Sequence, residues 1–189
     1  GTTGEPKGVL LHHSTYEEII RIHDIRLTEM TDKDVSMSFL PLTHVFERAW
    51  TYYCLHKGVV VCLNLKPAEI ASTIKEVRPT LMCSVPRFWE KVYAGVNEKI
   101  ASEKGIKKSL MLDAIRVGKT HNLDYVRLGK RPPLMLHLKY KFYEKTIYAL
   151  LKKTIGIENG NFFPVAGAAV PDEICEFVHA VGINMIVGY

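Results

Sequence analysis

The sequence predicts an α/β fold with a largely parallel sheet flanked by helices. Three apolar runs have the length of buried strands, and each is followed by a segment with helical patterning. The strand-like runs are 35–40, 59–63 and 80–85, and the helical segments are 44–56, 67–77 and 87–101. Regular alternation of strands and helices is typical of parallel sheets whose connections are helical. The run 59–63 is apolar throughout, as expected of a strand that is covered on both faces.

The other elements are predicted from the same patterns. A first helix is expected from about Ser14 to Leu27, and residues 102–132 are less regular, with a helix near 109–121. Residues 134–154 predict one long amphipathic helix. A strand at 162–166, a helix at 171–181 and a last strand at 183–187 complete the chain.

Length and composition are those of one compact domain. The chain has 189 residues, is 47% hydrophobic and contains no apolar run of about 18 residues. It begins with Gly1 inside a glycine-rich loop, so we expect residues 1–189 to be a piece of a longer protein. The four cysteines form no C-x-x-C pair, which favours reduced, mostly buried thiols of a cytoplasmic protein over a zinc site.

Positive charge is concentrated in one part of the chain. Residues 104–153 carry thirteen Lys or Arg and three Asp or Glu, whereas the net charge of the whole chain is +5. This predicted basic helical region, at about 102–155, is either a solvated helix surface or a peripheral contact with an anionic membrane. Its tyrosines and phenylalanine have the spacing of a helix core, so no nucleic-acid partner is expected.

The strongest chemical signal is the opening loop, GTTGEPKGV at residues 1–9. Glycines let backbone N–H groups approach phosphate oxygens, and Lys7 adds a compact positive charge. A Walker A loop is the obvious rival. However, Pro6 precedes the lysine and Gly8 follows it, so the hydroxyl that binds magnesium in a Walker A loop is missing.

This loop resembles the phosphate loop of adenylate-forming enzymes. Two further segments resemble long-chain acyl-CoA synthetases of that superfamily. They are LPLTHVFER at 40–48 and VPRFWEKV at 85–92, and each follows a predicted strand. Glu47 and Arg48 could form a local ion pair, and Arg87 could either contact a phosphate or carboxylate or brace its loop.

Two segments near the end of the chain resemble the adenine pocket of the same enzymes. Residues 162–171 read FFPVAGAAVP, whose small residues would let a flat ring lie against the backbone. Ala166 replaces the family's more usual Gly or Ser. Gly188-Tyr189 resembles the start of a motif whose tyrosine stacks on adenine.

The resemblance implies a set of site residues. The triphosphate of ATP would contact Thr2, Thr3, Gly4 and Lys7. The catalytic residue would be His44, beside the reacting carboxylate and α-phosphate. The adenine would be bordered by Gly167, Ala168, Ala169, Gly188 and Tyr189. The acyl chain would pass near Phe46, Trp50 and Trp89. No residue is assigned as a metal ligand, because the magnesium-binding Glu of the family would follow Tyr189.

The resemblance also implies the reaction and its partners. The chain is expected to be a fragment of the N-terminal AMP-binding domain of a long-chain fatty acid–CoA ligase, with ATP, Mg²⁺, coenzyme A and a fatty acid as substrates and cofactors. Without the family's magnesium-binding Glu, ribose-binding Asp and the catalytic Lys of the C-terminal domain, the fragment is expected to be inactive. Its exposed strand edges would favour self-association. The alternatives are a non-catalytic nucleotide- or anion-binding module and a peripheral membrane module.

Overall fold

The computed structural model describes residues 8–188. Within that range the chain forms eight α-helices and four short strands, connected in part by 3₁₀ and π turns. In chain order these are α1 (His13–Arg26), β1 (Val35–Ser38), α2 (Val45–His56), β2 (Val60–Leu63), α3 (Ile70–Val77), α4 (Pro86–Ser102), α5 (Gly105–Lys119), α6 (Leu134–Tyr143), α7 (Ala149–Ile155), β3 (Phe163–Val165), α8 (Asp172–Ala180) and β4 (Met185–Val187).

The strands form one parallel arrangement. β1 pairs with β2, β3 pairs with β4, and both pairs are parallel. Residues 81–84 join the two pairs, because Leu81 forms parallel bridges to Ser36 and Phe162, and Ser84 forms one to Val165. The order across the sheet is therefore β2, β1, 81–84, β3, β4. The predicted α/β class with a parallel sheet is confirmed.

The predicted strand at 80–85 is present only as these single bridges. Ser84 donates its backbone N–H to the Pro164 carbonyl at 2.9 Å, and its own carbonyl accepts from Ala166 at 3.2 Å. Pro164 itself has no N–H, so the backbone hydrogen bond that residue 164 would donate to the Met82 carbonyl is missing. A continuous ladder between 81–84 and β3 is therefore interrupted by one proline.

Helices cover both faces of the sheet, and residues 81–84 alternate between two hydrophobic clusters. Leu81 and Cys83 belong to the cluster under α1 and α2, whereas Met82 belongs to the larger cluster under the other helices. Each cluster contains one buried tryptophan. Trp50 donates its indole N–H to Ser36 Oγ at 3.0 Å, and Trp89 donates to Ser84 Oγ at 2.9 Å. These bonds satisfy the only polar group of each ring in the core.

The predicted helix at 134–154 is not one regular α-helix. A π turn over Glu144–Tyr148 separates α6 from α7, and a second π turn, Thr120–Tyr125, follows α5. The wider turn brings residues i and i+5 toward the same face. As a result Tyr143 and Tyr148 are both buried, with ring centroids 6.3 Å apart. Burial of both rings is the physical reason for the interruption.

The outer strands of the described sheet are β2 and β4. Val60, Leu63 and Val187 on these strands are exposed. Self-association through the strand edges stays a prediction. Between residues 8 and 188, none of the helices combines the length and the apolar character that crossing a bilayer would require.

Gly118 in α5 provides a test of how closely the helices pack. A Cβ at this position would lie 2.8 Å from Tyr148 Oη and 2.9 Å from the Ala180 carbonyl carbon of α8. Alanine is favoured over glycine in a helix by about 1 kcal/mol. At this position, however, the backbone of α8 at Ala180 would have to move to make room for the added Cβ. We expect Gly118→Ala to lower the free energy of unfolding by about 1–3 kcal/mol, measured by urea denaturation.

Gly95 in α4 is the matched control, because it is an exposed helical glycine whose added Cβ would meet no atom within 4 Å. Gly95→Ala should raise the free energy of unfolding by about 0.5–1 kcal/mol. Equal stabilisation by both substitutions would show that α5 and α8 do not pack as closely as described.

Candidate functional site

The residues predicted for the site follow the strands at one edge of the sheet. His44 follows β1, Arg87 follows 81–84, Gly167–Ala169 follow β3, and Gly188 follows β4. Because the strands are parallel, their carboxyl ends meet at the same edge. The chain moves outward from β1 to β2 and then returns to 81–84 on the other side of β1, which makes a topological switch point there. Ligands of open α/β sheets bind at such a crevice.

His44 is the N-cap residue of α2 and is exposed. Its backbone is extended (φ −83°, ψ 132°), its N–H donates to Pro41 at 2.9 Å, and its carbonyl accepts from Arg48 at 3.1 Å. Within the described chain the imidazole makes no capping hydrogen bond to α2. The fold therefore fixes the backbone of His44 and leaves its ring available for a ligand.

Glu47 anchors the loop that carries His44, a role that was not predicted from the sequence. Its side chain is fully buried in α2. Its Oε2 accepts the backbone N–H of Leu40 at 3.3 Å and the thiol of Cys83 at 3.2 Å. The carboxyl group thus joins the loop after β1 to the central segment 81–84. The burial of Glu47 could have been predicted from the sequence, because Glu47, Trp50 and Cys54 have the i, i+3, i+7 spacing of a buried helix face.

The environment of Glu47 favours its neutral form. Burial raises the pKa of the carboxyl group, and the hydrogen bonds from Cys83 and Leu40 only partly oppose this. The other oxygen, Oε1, is buried without a hydrogen-bond partner among the described residues. Burial also raises the pKa of the Cys83 thiol well above its ordinary value, so Cys83 remains a thiol donor.

Arg48 braces the same loop from the other side. Its Nε donates to the Leu42 carbonyl at 2.9 Å, and a terminal nitrogen donates to the Thr43 carbonyl at 3.4 Å. Glu47 is buried among other partners, so the local Glu47–Arg48 ion pair considered from the sequence does not form.

Arg87 has one charged neighbour and is otherwise exposed. It lies at the start of α4 and forms an ion pair with Glu90, one turn later, at 2.8 Å. The guanidinium side chain is 75% exposed. An exposed pair of this kind contributes about 0.2–1 kcal/mol, so Glu90 would compete only weakly with an anionic ligand.

The small-residue loop predicted to border adenine directly follows β3. Gly167 has φ 94°, which side-chain-bearing residues rarely adopt, and a Cβ there would approach Val85 at 3.8 Å. Gly167, Ala168 and Ala169 are exposed beyond the sheet edge. Gly188 donates its N–H to the Val165 carbonyl at 2.8 Å, which holds the end of β4 beside this loop.

Five predicted site residues lie outside the described residues. They are Thr2, Thr3, Gly4, Lys7 and Tyr189.

The acyl-chain residues expected from the sequence do not share one surface. Trp50 and Phe46 pack in the cluster under α1 and α2, whereas Trp89 packs in the cluster on the opposite face of the sheet. Both tryptophans are buried and hydrogen-bonded to strand serines. A single acyl chain could not contact both rings without crossing the sheet.

Together these features define a class. A parallel sheet covered by helices, with a switch point beside an exposed histidine and a glycine-containing loop, is a ligand-binding α/β domain.

Comparison with known families makes the assignment specific. The model of the AMP-binding enzyme family matches residues 1–189. The chain therefore belongs to the AMP-binding enzyme family.

Curated relatives agree with this family. The chain is 30% identical to the long-chain-fatty-acid–CoA ligase ACSBG2 of Xenopus laevis over 190 aligned positions, which cover 97% of the chain and 25% of that protein. It is 34% identical to long chain acyl-CoA synthetase 3 of Arabidopsis thaliana over 115 positions, covering 58% of the chain and 17% of that protein. The chain spans about a quarter of the length of the first curated relatives that it matches.

Solved structures share the fold. All of the chain aligns with 22% of the A-PCP didomain of a carboxylic acid reductase from Segniliparus rugosus in complex with AMP, with a TM-score of 0.65 and 18% identity. All of it also aligns with 34% of the N-terminal domain of FACL13 from Mycobacterium tuberculosis, with a TM-score of 0.56 and 16% identity.

The buried carboxyl group of Glu47 predicts a pH dependence of stability. Its raised pKa means that the folded state holds the proton more tightly than the unfolded state, whose pKa is near 4.5. Both states are protonated well below pH 4.5. As the pH rises through 4.5 toward the raised folded value, the unfolded state loses its proton first, so the free energy of unfolding falls.

Glu47→Gln keeps the shape of the neutral side chain and has no proton to lose. We expect the free energy of unfolding of the wild type to fall relative to this variant across that pH window, measured by urea denaturation at a series of pH values. Glu98→Gln, at an exposed position of α4, is the control and should keep the wild-type pH slope. Parallel curves for the wild type and Glu47→Gln would contradict the prediction.

Proposed function

We propose that this chain forms part of the adenylation site of an ATP-dependent long-chain fatty acid–CoA ligase. The observation that carries the proposal is that the His44 loop, the Arg87 turn and the Gly167–Ala169 loop share the carboxyl edge of one parallel sheet. Family membership and the relatives named as long-chain ligases support the same substrate class.

The proposed reaction has two steps. A carboxylate oxygen of the fatty acid attacks the α-phosphorus of ATP, the bond to the bridging oxygen breaks, and pyrophosphate leaves. The thiol sulfur of coenzyme A then attacks the acyl carbonyl carbon of the adenylate, and AMP leaves with the electron pair of the broken C–O bond. In such reactions the protein mainly positions groups and stabilises charge on the phosphates.

His44 suits the first step as a hydrogen-bond donor to the reacting carboxylate or the α-phosphate. Its backbone is fixed by Pro41 and Arg48, and its loop is anchored through Glu47. The Gly167–Ala169 loop offers a surface without bulky side chains, against which an adenine ring could lie. The opening loop, residues 1–9, would supply amide, hydroxyl and ammonium groups for the remaining phosphates.

Magnesium would be held in this proposal by the phosphates of the nucleotide, and no described residue is assigned as its ligand. The described residues contain no group of three or more His, Cys, Asp or Glu that could hold a metal. Mg²⁺ usually keeps several waters and binds substrate phosphates together with one or two carboxylates. When bound with ATP it would neutralise phosphate charge, and the roles given above to His44 and the two loops do not depend on its position.

The alternative is a nucleotide-binding module without catalysis. Such a module would need the small-residue loop for the ring but would not need His44, which lies on a different strand's loop. A substitution at His44 therefore separates the two functions.

We expect His44→Ala, in a ligase that contains this chain, to lower fatty-acid-dependent ATP–pyrophosphate exchange by about 100-fold or more. The reason is the loss of a donor that acts on charge developing at the α-phosphate. ATP affinity, measured by equilibrium titration, should change by less than about threefold, because His44 contacts the reacting group rather than the ring.

His56→Ala is the matched control, because His56 is an exposed histidine at the other end of α2, where it pairs with Asp24 at 3.1 Å. It should leave pyrophosphate exchange unchanged. If His44→Ala retains wild-type exchange, the proposed role of His44 is wrong and a binding module is favoured.

A further inference from the structure

The outward face of α6 is apolar. Leu134, Met135, Leu138 and Phe142 are 71%, 77%, 55% and 59% exposed. Positions 134, 138 and 142 recur at i, i+4 and i+8, and position 135 lies one heptad before 142, so the four side chains share one side of the helix. We call these four residues the α6 outer face.

The inward face of the same helix is apolar as well. Tyr140 and Tyr143 are buried in the larger cluster, and Leu136 packs against it. The helix is thus apolar on two opposite sides, and only the inward side is covered within residues 8–188. Lysines mark the two borders of the outer face: Lys139 pairs with Asp113 at 2.7 Å, and Lys141 pairs with Glu144 at 2.7 Å.

The surroundings of the outer face are strongly basic. Residues 126–142 contain five Lys or Arg and no Asp or Glu, a charge equal to the +5 of the whole chain. Lys130 and Arg131, which precede α6, are exposed and form no ion pair with the described residues. The turn before them presents Val126 and Leu128, which are also exposed.

We propose that the α6 outer face, with Lys130 and Arg131, binds the surface of an anionic lipid bilayer. A helix with apolar residues on one side and basic residues along its borders lies in the interface of a bilayer, with its apolar side about 5–10 Å deep. The lysines and arginines then meet the anionic headgroups while the four apolar side chains enter the acyl region. The helix lies on the membrane rather than crossing it.

Charge distinguishes this occupant from a second copy of the chain. Two outer faces in contact would bring Lys130 and Arg131 of one copy, which form no ion pair with the described residues, toward the same two cations of the other copy, which is unfavourable. A nucleic acid would match the positive charge. However, it would leave four large aliphatic and aromatic side chains against a phosphate backbone, where they gain little.

The test is co-sedimentation of a ligase that contains this chain with vesicles of phosphatidylcholine, with and without phosphatidylserine. We expect binding to the anionic vesicles only. Lys130→Gln with Arg131→Gln should weaken it by about 25-fold at low salt, on the order of fivefold per charge. Leu134→Ser with Leu138→Ser should weaken it at both low and high salt, because apolar insertion is not screened.

Matched controls sit elsewhere on the chain. Leu65→Ser removes an apolar side chain that is 85% exposed, and Arg26→Gln with Lys33→Gln removes two exposed cations. Both should bind vesicles as the wild type does, and thermal unfolding of all variants should match, since every substituted side chain is exposed.

Three results would overturn the proposal. The first is equal binding to neutral and anionic vesicles, and the second is equal binding by the α6 variants and the controls. The third is binding of duplex DNA that depends on Lys130 and Arg131 but not on Leu134 and Leu138, with no vesicle binding, which would identify a nucleic-acid surface instead.

Discussion

Residues 81–84 form the centre on which the rest of the structure depends. Leu81 is completely buried and forms bridges to Ser36 of β1 on one side and to Phe162, the residue before β3, on the other, so it connects the two strand pairs. Because residues 81–84 connect the two strand pairs, His44, Arg87 and the Gly167 loop lie along one carboxyl edge. Pro164 has no N–H, so one backbone hydrogen bond between β3 and residues 81–84 is missing. Burial of the side chains of 81–83 on both faces of the sheet compensates for this loss.

Polar contacts in the core fix the loops of the candidate site to residues 81–84. Glu47 connects the loop of His44 to Cys83, and Trp89 connects the start of α4 to Ser84, so two site loops are fixed to the same central segment. Glu47 Oε2 and the Trp89 indole N–H keep their partners, and these contacts fix the geometry because leaving either buried atom unpaired would cost about 1–3 kcal/mol. The exposed His44 ring is thereby mounted on a rigid support, as a site that orients reacting groups requires.

The sequence predicted the fold class and the type of nearly every element, because strand-like apolar runs and helical segments alternate cleanly. It could not give the strand order, which depends on bridges between residues such as Leu81 and Phe162 that lie far apart in the chain. The π turn at Glu144–Tyr148 arises from packing of Tyr148, which tertiary contacts decide. The position of His44 at the sheet edge could be predicted because it follows a strand. The burial of Glu47 could be predicted only from its i, i+3, i+7 spacing with Trp50 and Cys54 on one face of α2.

The two tryptophans lie in different hydrophobic clusters, one on each face of the sheet. They are the only tryptophans of the chain, and the sheet lies between them, with Trp50 on one side and Trp89 on the other. Replacing either by phenylalanine leaves a single indole whose emission reports one half alone. Intrinsic fluorescence can therefore reveal whether the two layers lose their packing together or one after the other.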